Sequence, residues 1–451
     1  MEFSFKSIIA ISIWLNVLVL FAQENNDLTN VFKNCLISDR VNNLKRLNPI
    51  EIIEFDETNN RIKTNYSQLY KLKLKATSNK SWFITQGEEG SNIAEILEVD
   101  TLLGWITLGK TYQGVLNLDI GERIEFFNPF INYEIINNRP LFKSYPNYID
   151  NNRIGYIQTG GIIKRSSTDY VLLTPVVFRA HKSRSVYFAT SSNLTDWNFN
   201  YTPLVSSKQI GFAKPNGNVF STGNPLQLKN GNYLVLLGVE LENGNYSSCY
   251  MLIDENLHII QPPKQIKLKG WYEEGTNSFP LSITYFNGLY RLLLHKRDNN
   301  VLETEIYEYT SQNIISLLDK GSQIESINKI HSAKKETGYL HGKADDASYL
   351  IYKNNLYILI GSEESPSEYL TSLNREYGLM NLKNNTWLHD KRSPIIVNPI
   401  NLNHKYPEYD WCNDHLGGFI SPIIHNDYLY IFLSFGTDNP DYLISGIKVK
   451  I

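Results

Sequence analysis

The sequence predicts an all-β protein built from more than one domain, and its length, its composition and a repeated strand pattern carry this prediction. The chain has 451 residues, of which 42% are hydrophobic, 12% aromatic and 20% charged. A chain of this size can bury a large core and exceeds a typical single domain. Short apolar runs separated by Asn, Gly and Ser turns favour strands over helices, and the 29 Tyr residues agree with a β-rich fold.

The first 22 residues have the pattern of a secretory signal peptide. "MEFSFK" carries Lys6, an apolar run "SIIAISIWLNVLVLFA" follows, and the chain turns polar at Gln23. We therefore predict a signal peptide over 1–22, a secreted or periplasmic protein, and no membrane span after cleavage. An uncleaved membrane anchor is the open alternative, although the run is shorter than the ~20 residues that a span needs.

Residues 23–140 are predicted to form a small β-rich, sandwich-like module. The predicted strands are bounded by Gly, Asn and Ser turns. Their sequences are "YKLKLKA", "SWFITQG", "AEILEVD", "GWITLGK" and "VLNLDI". A Pro- and Asn-rich bridge then leads into a second domain, predicted over 141–451.

A strand pattern recurs five times in the second domain. Each unit has a strand, a short Asn, Gly or Asp hairpin, a Tyr- and Leu-rich returning strand, a third strand and usually a fourth. The units begin at "GGIIKRSSTDYVLLTPVVF", "GNPLQLKNGNYLVLLGVE", "SFPLSITYFNGLYRLLLHKR", "DDASYLIYKNNLYILIGSE" and "GGFISPIIHNDYLYIFLSFG". Short strands repeated at a period of roughly 50 to 65 residues predict a five-bladed β-propeller, in which each unit is one blade.

The fifth unit ends at Ile451 with three clear strands. We therefore predict that "EIINNRPLFK", residues 134–143, adds the missing outer strand and closes the ring. A pair of β-sandwiches would use the same strands without cyclic order and stays open as an alternative at this point.

The stretch "SVYFATSSNLTDWNF", residues 185–199, is predicted to be the third strand of the first blade and its outer turn, with Trp197 covering the edge of the outer strand. Within it, "A-T-S-S-N-L-T-D-W" follows "Y-V-L-L-T-P" in the same unit. This phrase resembles the blade pattern of the five-bladed propeller glycoside hydrolases of families 43, 32, 117 and 130. The resemblance covers residues 155–451 and implies a carbohydrate substrate or ligand.

In a propeller the innermost strands of all blades start around one mouth of the central channel, so chemistry is expected at those starts. The polar or flexible residues that we assign to the five starts are Gly160 and Gly161, Thr222 and Asn224, Glu273, Glu274 and Asn277, His341, Asp345 and Asp346, and Asp414 and His415.

Hydrolysis of a glycosidic bond requires two carboxyl groups that flank the bond, one protonated and one ionised. The resemblance implies an Asp base in blade one, a modulating Asp in blade two and a Glu-Gly acid in blade three. "E-E-G" matches the last of these and makes Glu274 the predicted general acid. Asn224-Pro225 stands where Asp-Pro is expected, and Gly160-Gly161 stands near the expected base.

Because neither Asn nor Gly can act as a charged base, two explanations remain open. The base is Asp345, Asp346 or Asp414, or the pocket binds sugar without cleaving it. For Glu273 and Glu274 the alternative is that they belong to a solvated loop before a strand. For Asp345 and Asp346 the alternative is that the pair forms a turn through local hydrogen bonds.

The predicted substrate-binding residues combine aromatic and hydrogen-bonding side chains. Trp271 and Trp411 suit stacking on a sugar ring, and packing between blades is the slightly favoured alternative. Asp414 is predicted to orient His415, which would contact a sugar hydroxyl or a channel cation, and a structural His is the alternative. The remaining predicted binding residues are Asn224, Asn277 and His341.

Several other classes are excluded or unsupported by the sequence. A net charge of −3 gives no basis for nucleic-acid binding. Cys35, Cys249 and Cys412 are widely spaced, which suggests no zinc site and allows one disulfide at most. No cofactor or metal is predicted, apart from the open case of a cation beside Asp414. The chain has no Gly-x-Ser-x-Gly, phosphate-loop, dinucleotide or His-Glu-x-x-His motif.

Overall fold

A computed structural model gives the fold described here. It describes residues 50–64, 83–86, 92–100, 103–113, 115–127, 134–136, 141, 148–149, 152–178, 183–268, 277–297, 304–320, 324–332, 344, 346–363, 375–389, 415–436 and 442–451. The predicted signal peptide lies outside these residues. Within them, no helix is long and apolar enough to cross a membrane.

The N-terminal module is a six-stranded closed barrel in the order β1-β2-β5-β4-β3-β6. Pairing of Ile50 with Ile124 joins β1 to β6 and closes the barrel. Its buried core consists mainly of Ile, whose branched side chains suit strands. The strands are β1 (Ile50–Asp56), β2 (Arg61–Thr64), β3 (Phe83–Gln86), β4 (Asn92–Asp100), β5 (Trp105–Gln113) and β6 (Arg123–Phe127).

The module is thus β-rich as predicted, but its sheet closes into a barrel and does not form a sandwich. The predicted strand "VLNLDI" is also wrong, because residues 115–120 form no strand. Leu116 and Leu118 are partly buried against the barrel core, whereas Val115 and Ile120 are 83% and 72% exposed, so the alternation seen in the sequence is present without strand pairing. The segment is instead fixed by the amide of Gln86, which bonds the backbone N and O of Asn117. The predicted strand "YKLKLKA" lies outside the described residues.

The next strand, β7 (Glu134–Ile135), follows the barrel in the chain and belongs to the last blade. The first blade then has the strand order β13-β12-β11-β9-β8, and β10 pairs with the same edge of β11 as β9. Its strands are β8 (Tyr148–Ile149), β9 (Asn152–Ile157), β10 (Ile162–Ser166), β11 (Asp169–Phe178), β12 (Arg184–Ser191) and β13 (Asn198–Val205).

Blades two to four are four-stranded antiparallel sheets whose strands follow one another in sequence order. Blade two contains β14 (Val219–Gln227), β15 (Tyr233–Glu240), β16 (Tyr246–Ile253) and β17 (Ile259–Gln265). Blade three contains β18 (Asn277–Phe286), β19 (Leu289–Arg297), β20 (Thr304–Ser311) and β21 (Ser326–Ser332). Blade four contains β22 (Asp346–Tyr352), β23 (Asn355–Glu363), β24 (Arg375–Lys383) and β25 (Thr386–His389). Two short helical segments are described, a 3-10 helix (Ser207–Gln209) and a π-helical turn (Ser316–Lys320).

Blade five closes the ring in the predicted way. It contains β26 (His415–His425), β27 (Tyr428–Gly436) and β28 (Tyr442–Lys450), and β7 is its outer strand. Ile135 pairs with Ile447, and the backbone N of Leu141 donates to Ile444 O at 3.0 Å. The predicted closure is therefore confirmed for the described residues of this segment, 134–136 and 141, and the five-bladed ring replaces the alternative of two sandwiches.

The hairpins of the blades follow from local turn chemistry. Asn287 and Gly288, between β18 and β19, have φ of 49° and 81°, and Lys353 and Asn354 in blade four have φ of 44° and 63°. Two-residue turns with positive φ match the twist of an antiparallel hairpin and favour Asn and Gly. These turns set the strand register inside each blade.

Burial decreases from the ring axis outwards. Every residue of β15 except Glu240 is buried, because both faces of this strand pack against neighbouring blades. The outer strand β13 is mostly exposed. Trp197 is only 2% exposed and packs edge-on against Phe432 of blade five, at 5.6 Å between ring centroids. It thus lies in the junction between the first and last blades.

Candidate functional site

The innermost strands define the mouth of the propeller as the end at which they begin. They are β9 with β10, β14, β18, β22 and β26, which start at residues 152, 219, 277, 346 and 415. Because each blade repeats the same antiparallel order, these starts share one end of the ring. The predicted positions Asn277, Asp346 and His415 are the first residues of their strands.

Below the mouth, side chains of the innermost strands join every blade to the next. In each link, a side chain of one blade bonds backbone atoms of its neighbour, and together the links form a closed belt around the axis. The links are Asn224 Oδ1 with Ile162 N (2.9 Å), Thr222 Oγ1 with Pro280 O (2.7 Å), Ser282 Oγ with Tyr349 N (3.1 Å), Asp346 Oδ1 with Ile420 N (3.2 Å), and Thr159 Oγ1 with Phe419 O.

Gly160 and Gly161 do not start a strand as predicted, because they lie between β9 and β10 in the middle of the innermost strand of blade one. A Cβ on Gly161 would stand 1.9 Å from the backbone O of Gly223 in blade two, and Gly161 has φ of +115°. Only glycine allows this close approach of two backbones. Their role is contact between blades, so the base predicted by resemblance has no counterpart here.

Three aromatic rings lie against one another on the mouth side of the belt. Phe220, Phe279 and Phe419 come from blades two, three and five and are 3–7% exposed. Phe220 stacks on Phe419 at 5.3 Å between centroids, and Phe279 lies edge-on to both at 5.6 and 6.2 Å. We call these three residues the aromatic floor. All three rings belong to one buried hydrophobic cluster.

Two further side chains contact the aromatic floor. The ring of His295 stacks on Phe279 with centroids 4.3 Å apart and is fully buried. The guanidinium of Arg184, the first residue of β12, lies 4.9 Å from the ring centroid of Phe220. Arg184 is only partly buried. It therefore places a positive charge against the ring of Phe220.

Asp346 is 1% exposed, and both of its carboxylate oxygens accept hydrogen bonds. Tyr377 Oη donates to Oδ2 at 3.0 Å, and Ile420 N donates to Oδ1 at 3.2 Å. The alternative role of Asp346 in a local turn does not describe these bonds, because both partners are distant in sequence. The carboxylate joins blades four and five at the level of the belt.

The two predicted Asn ligands are also engaged by the protein. Asn224 accepts from Ile162 N and donates through Nδ2 to Pro422 O at 2.6 Å. Asn277 Oδ1 accepts from Tyr246 N at 3.0 Å. Both side chains thus bridge blades, and both are partly buried.

The other predicted site residues lie outside the described residues. They are Glu274, Asp345, Asp414, His341, Trp271 and Trp411. For His415 the structure describes the strand but not the side chain. The described residues contain no group of three or more His, Cys, Asp or Glu side chains placed to hold a metal ion. Cys249 is a buried free thiol, and burial raises its pKa.

Sequence reasoning missed a buried carboxylate between blades three and four. Glu308 is fully buried and accepts from Arg291 Nη1 at 3.2 Å, Tyr349 Oη at 2.8 Å and Trp387 Nε1 at 3.0 Å. Asn328 Nδ2 adds a weaker contact at 3.4 Å. The partners come from four strands of two blades, so no local motif marks them. Such a fully paired charge is a structural group.

The same junction contains His331, on the outer strand of blade three. His331 is 1% exposed, and among the described residues neither of its ring nitrogens has a hydrogen-bond partner. Burial and, to a smaller extent, the nearby His389 lower the pKa of His331 to about 4. A neutral imidazole is therefore part of the folded state at neutral pH.

No family model and no curated protein sequence matches the chain. Similar solved structures include a thermostable family-43 glycoside hydrolase (13% identity, 65% of this chain and 89% of that chain, TM-score 0.46). A β-1,2-mannobiose phosphorylase from Listeria innocua is also similar (12% identity, 71% and 96%, TM-score 0.48). A glycosyl hydrolase from Bacteroides ovatus is a third (11% identity, 66% and 84%, TM-score 0.43).

Proposed function

We propose that the chain is an exported carbohydrate-active protein whose propeller cleaves an oligo- or polysaccharide at its mouth. One observation carries the proposal: acidic residues occur at or just before three innermost strands that start at the same end of the ring. β18, β22 and β26 start at residues 277, 346 and 415. Glu274, Asp345 and Asp414 precede these starts in the sequence by one to three positions.

In this proposal Glu274 is the general acid that protonates the leaving oxygen, and Asp345 or Asp414 is the base or nucleophile. The proposal requires a carboxyl pair about 5–5.5 Å apart for retention of configuration, or about 6.5–9.5 Å apart for inversion. Asp346 is the weakest of the predicted catalytic residues, because a carboxylate that already accepts from Tyr377 and Ile420 is poorly placed to take a proton from water.

Binding without cleavage is a second candidate function, and a specific observation favours it. The resemblance implies acids at positions that Asn224, Gly160 and Gly161 occupy. All three are committed to contacts between blades. A mouth that retains Glu274 without a partner acid would hold a glycan and leave it intact.

A glycan library with two readouts tests both functions. The purified mature chain is incubated with neutral and acidic oligosaccharides, binding is measured by calorimetry, and products are detected by chromatography. For a hydrolase, Glu274→Gln lowers turnover at least about 100-fold while binding survives, because a positioned acid supplies about 10²–10⁴ of the rate.

The adjacent Glu273→Gln is the matched control, and it retains turnover. Turnover that is unchanged in Glu274→Gln removes Glu274 from the mechanism. Binding with no product from any glycan supports the second function. No binding and no product across the library contradicts both functions.

A further inference from the structure

We propose that the junction between blades one and five holds a buried hydration site, in which ordered water bridges the hydroxyls of Thr174, Ser421 and Ser434. The inference concerns how the first and last blades are joined, and it does not depend on the proposed function. The ligand is water, held by neutral oxygen atoms of both blades.

The three hydroxyls are fully buried and lack protein partners. Thr174, Ser421 and Ser434 are each 0% exposed. Within the part of the chain that the structure describes, none of their Oγ atoms has a hydrogen-bond partner. Buried polar groups without a protein partner are commonly paired with internal water, because an unpaired hydroxyl in the interior is costly. Three such groups in one junction therefore point to a common ligand.

Strand pairing places all three side chains on the face of their blade that meets the other blade. The residue paired with each of them belongs to the hydrophobic cluster that joins blades one and five. The pairs are Thr174 with Tyr187, Ser421 with Phe432, and Ser434 with Ile444. Because directly paired residues project their side chains to the same face of a sheet, the hydroxyls lie on the same face as this cluster.

The belt link between Thr159 and Phe419 fixes the level of Thr174 along the ring axis. Thr159 lies opposite Thr174, because backbone bonds join the residues on either side of both. These bonds run from Gln158 N to Pro175 O (2.9 Å) and from Gly160 N to Leu173 O (2.7 Å). Thr159 Oγ1 donates to Phe419 O in blade five. Thr174 is therefore level with Phe419.

The two serines of blade five lie at the ends of the bulge that contains Phe419. The register of β26 shifts between Gly417 and Ser421, so Phe419 lies inside a bulge. Gly417, at one end, pairs with Ser434, and Ser421 forms the other end. All three hydroxyls are therefore grouped around the link that joins Thr159 to Phe419.

The chemistry of the three groups suits water. A hydroxyl can both donate and accept a hydrogen bond, and an internal water molecule needs about two to four polar partners. Three neutral hydroxyls supply no charge to offset that of a divalent cation. A water molecule shared by the two blades would satisfy groups that neither blade satisfies by itself.

Crystallography of the full mature chain tests the site directly. An oxygen peak is expected about 2.7–3.2 Å from at least two of the three hydroxyls. A crystal soaked in rubidium chloride distinguishes water from an alkali cation, because rubidium gives an anomalous signal. A rubidium peak at the site, or no peak within hydrogen-bond distance of any two hydroxyls, overturns the inference.

A double-mutant cycle tests the site in solution. Thr174→Val and Ser434→Ala each remove one hydroxyl with little change of shape, and each is expected to lower the melting temperature by about 2 °C or more. The double variant is expected to lose clearly less than the sum of the two, because both hydroxyls bind the same water. The matched control is Thr222→Val, which removes the belt hydroxyl that donates to Pro280 O between blades two and three. Its loss is expected to add fully to that of Ser434→Ala.

Two results of the cycle contradict the inference. A higher melting temperature for Thr174→Val would show that its hydroxyl is buried without any partner. Additive losses in the double variant of Thr174 and Ser434 would show that the two hydroxyls share no ligand. If the double variant does not fold, the crystals of the wild type decide alone.

Discussion

Protonation of His331 is expected to destabilise the junction between blades three and four as the pH falls below neutral. The ordinary pKa of histidine is 6.5, and burial together with His389 lowers that of His331 to about 4. The unfolded chain therefore binds a proton on this residue at a pH where the folded chain does not. By linkage, the contribution of His331 to the free energy of unfolding is complete above pH 6.5, and it is lost as the pH falls from 6.5 towards 4.

The size of the effect follows from the two pKa values. A difference of about 2.5 in pKa corresponds to about 3.4 kcal/mol when fully expressed, and about 2.5 kcal/mol is lost by pH 4.5. A propeller that is stable by 5–15 kcal/mol would lose a measurable share of its free energy of unfolding.

Chemical denaturation between pH 7.5 and 4.5 measures this loss. Carboxyl groups also titrate in the range, so the informative quantity is the difference between the wild type and His331→Leu or His331→Gln, in which this group cannot titrate. The free energy of unfolding of these variants is expected to fall by about 2.5 kcal/mol less over the range. His258→Gln is the control, because the side chain of His258 is 78% exposed. Parallel pH profiles for the wild type and both His331 variants would refute the reasoning.

Two substitutions test the contacts between neighbouring blades. Gly161→Ala is expected to destabilise the propeller by about 3 kcal/mol or more, because the added Cβ would stand 1.9 Å from Gly223 O at a φ of +115°. Gly211→Ala is the control, since no heavy atom lies within 4 Å of the Cβ added there. Equal melting temperatures for the two variants would contradict the packing described for Gly161. Asp346→Ala is expected to lower the free energy of unfolding by about 2–4 kcal/mol, since it removes the carboxylate that accepts from the buried Tyr377 Oη and Ile420 N, and Asp346→Asn is expected to lower it less. Ser348→Ala on the same strand is the control, because Ser348 Oγ has no hydrogen-bond partner in the described part of the chain. A loss as large in this control would show that the carboxylate is not the cause.

The features that the sequence predicted correctly depend on local signals. Turns such as Asn287-Gly288 fix each hairpin, and continuous apolar strands such as β15 mark sheets that are buried on both faces. The repeat of such units predicted five blades, and the short fifth unit predicted closure by residues 134–143.

The features that were missed depend on contacts between distant segments. Glu308 gains its partners only when blades three and four meet, and the closed barrel depends on the pairing of β1 with β6. Gly160-Gly161 was assigned to the mouth because glycine signals a loop as well as a close approach of two backbones. The side chains of Glu274, Asp345 and Asp414 lie outside the described residues, so their roles remain predictions.

Hydrogen–deuterium exchange with a bound glycan tests most directly whether the five blades present one ligand site at the mouth. The account predicts that the glycan slows exchange together in peptides that contain residues 184, 220, 279, 346 and 419, one from each blade, and leaves the turns at 287–288 and 353–354 at the opposite end unchanged. Protection confined to one blade, to those opposite turns or to the N-terminal barrel would contradict it.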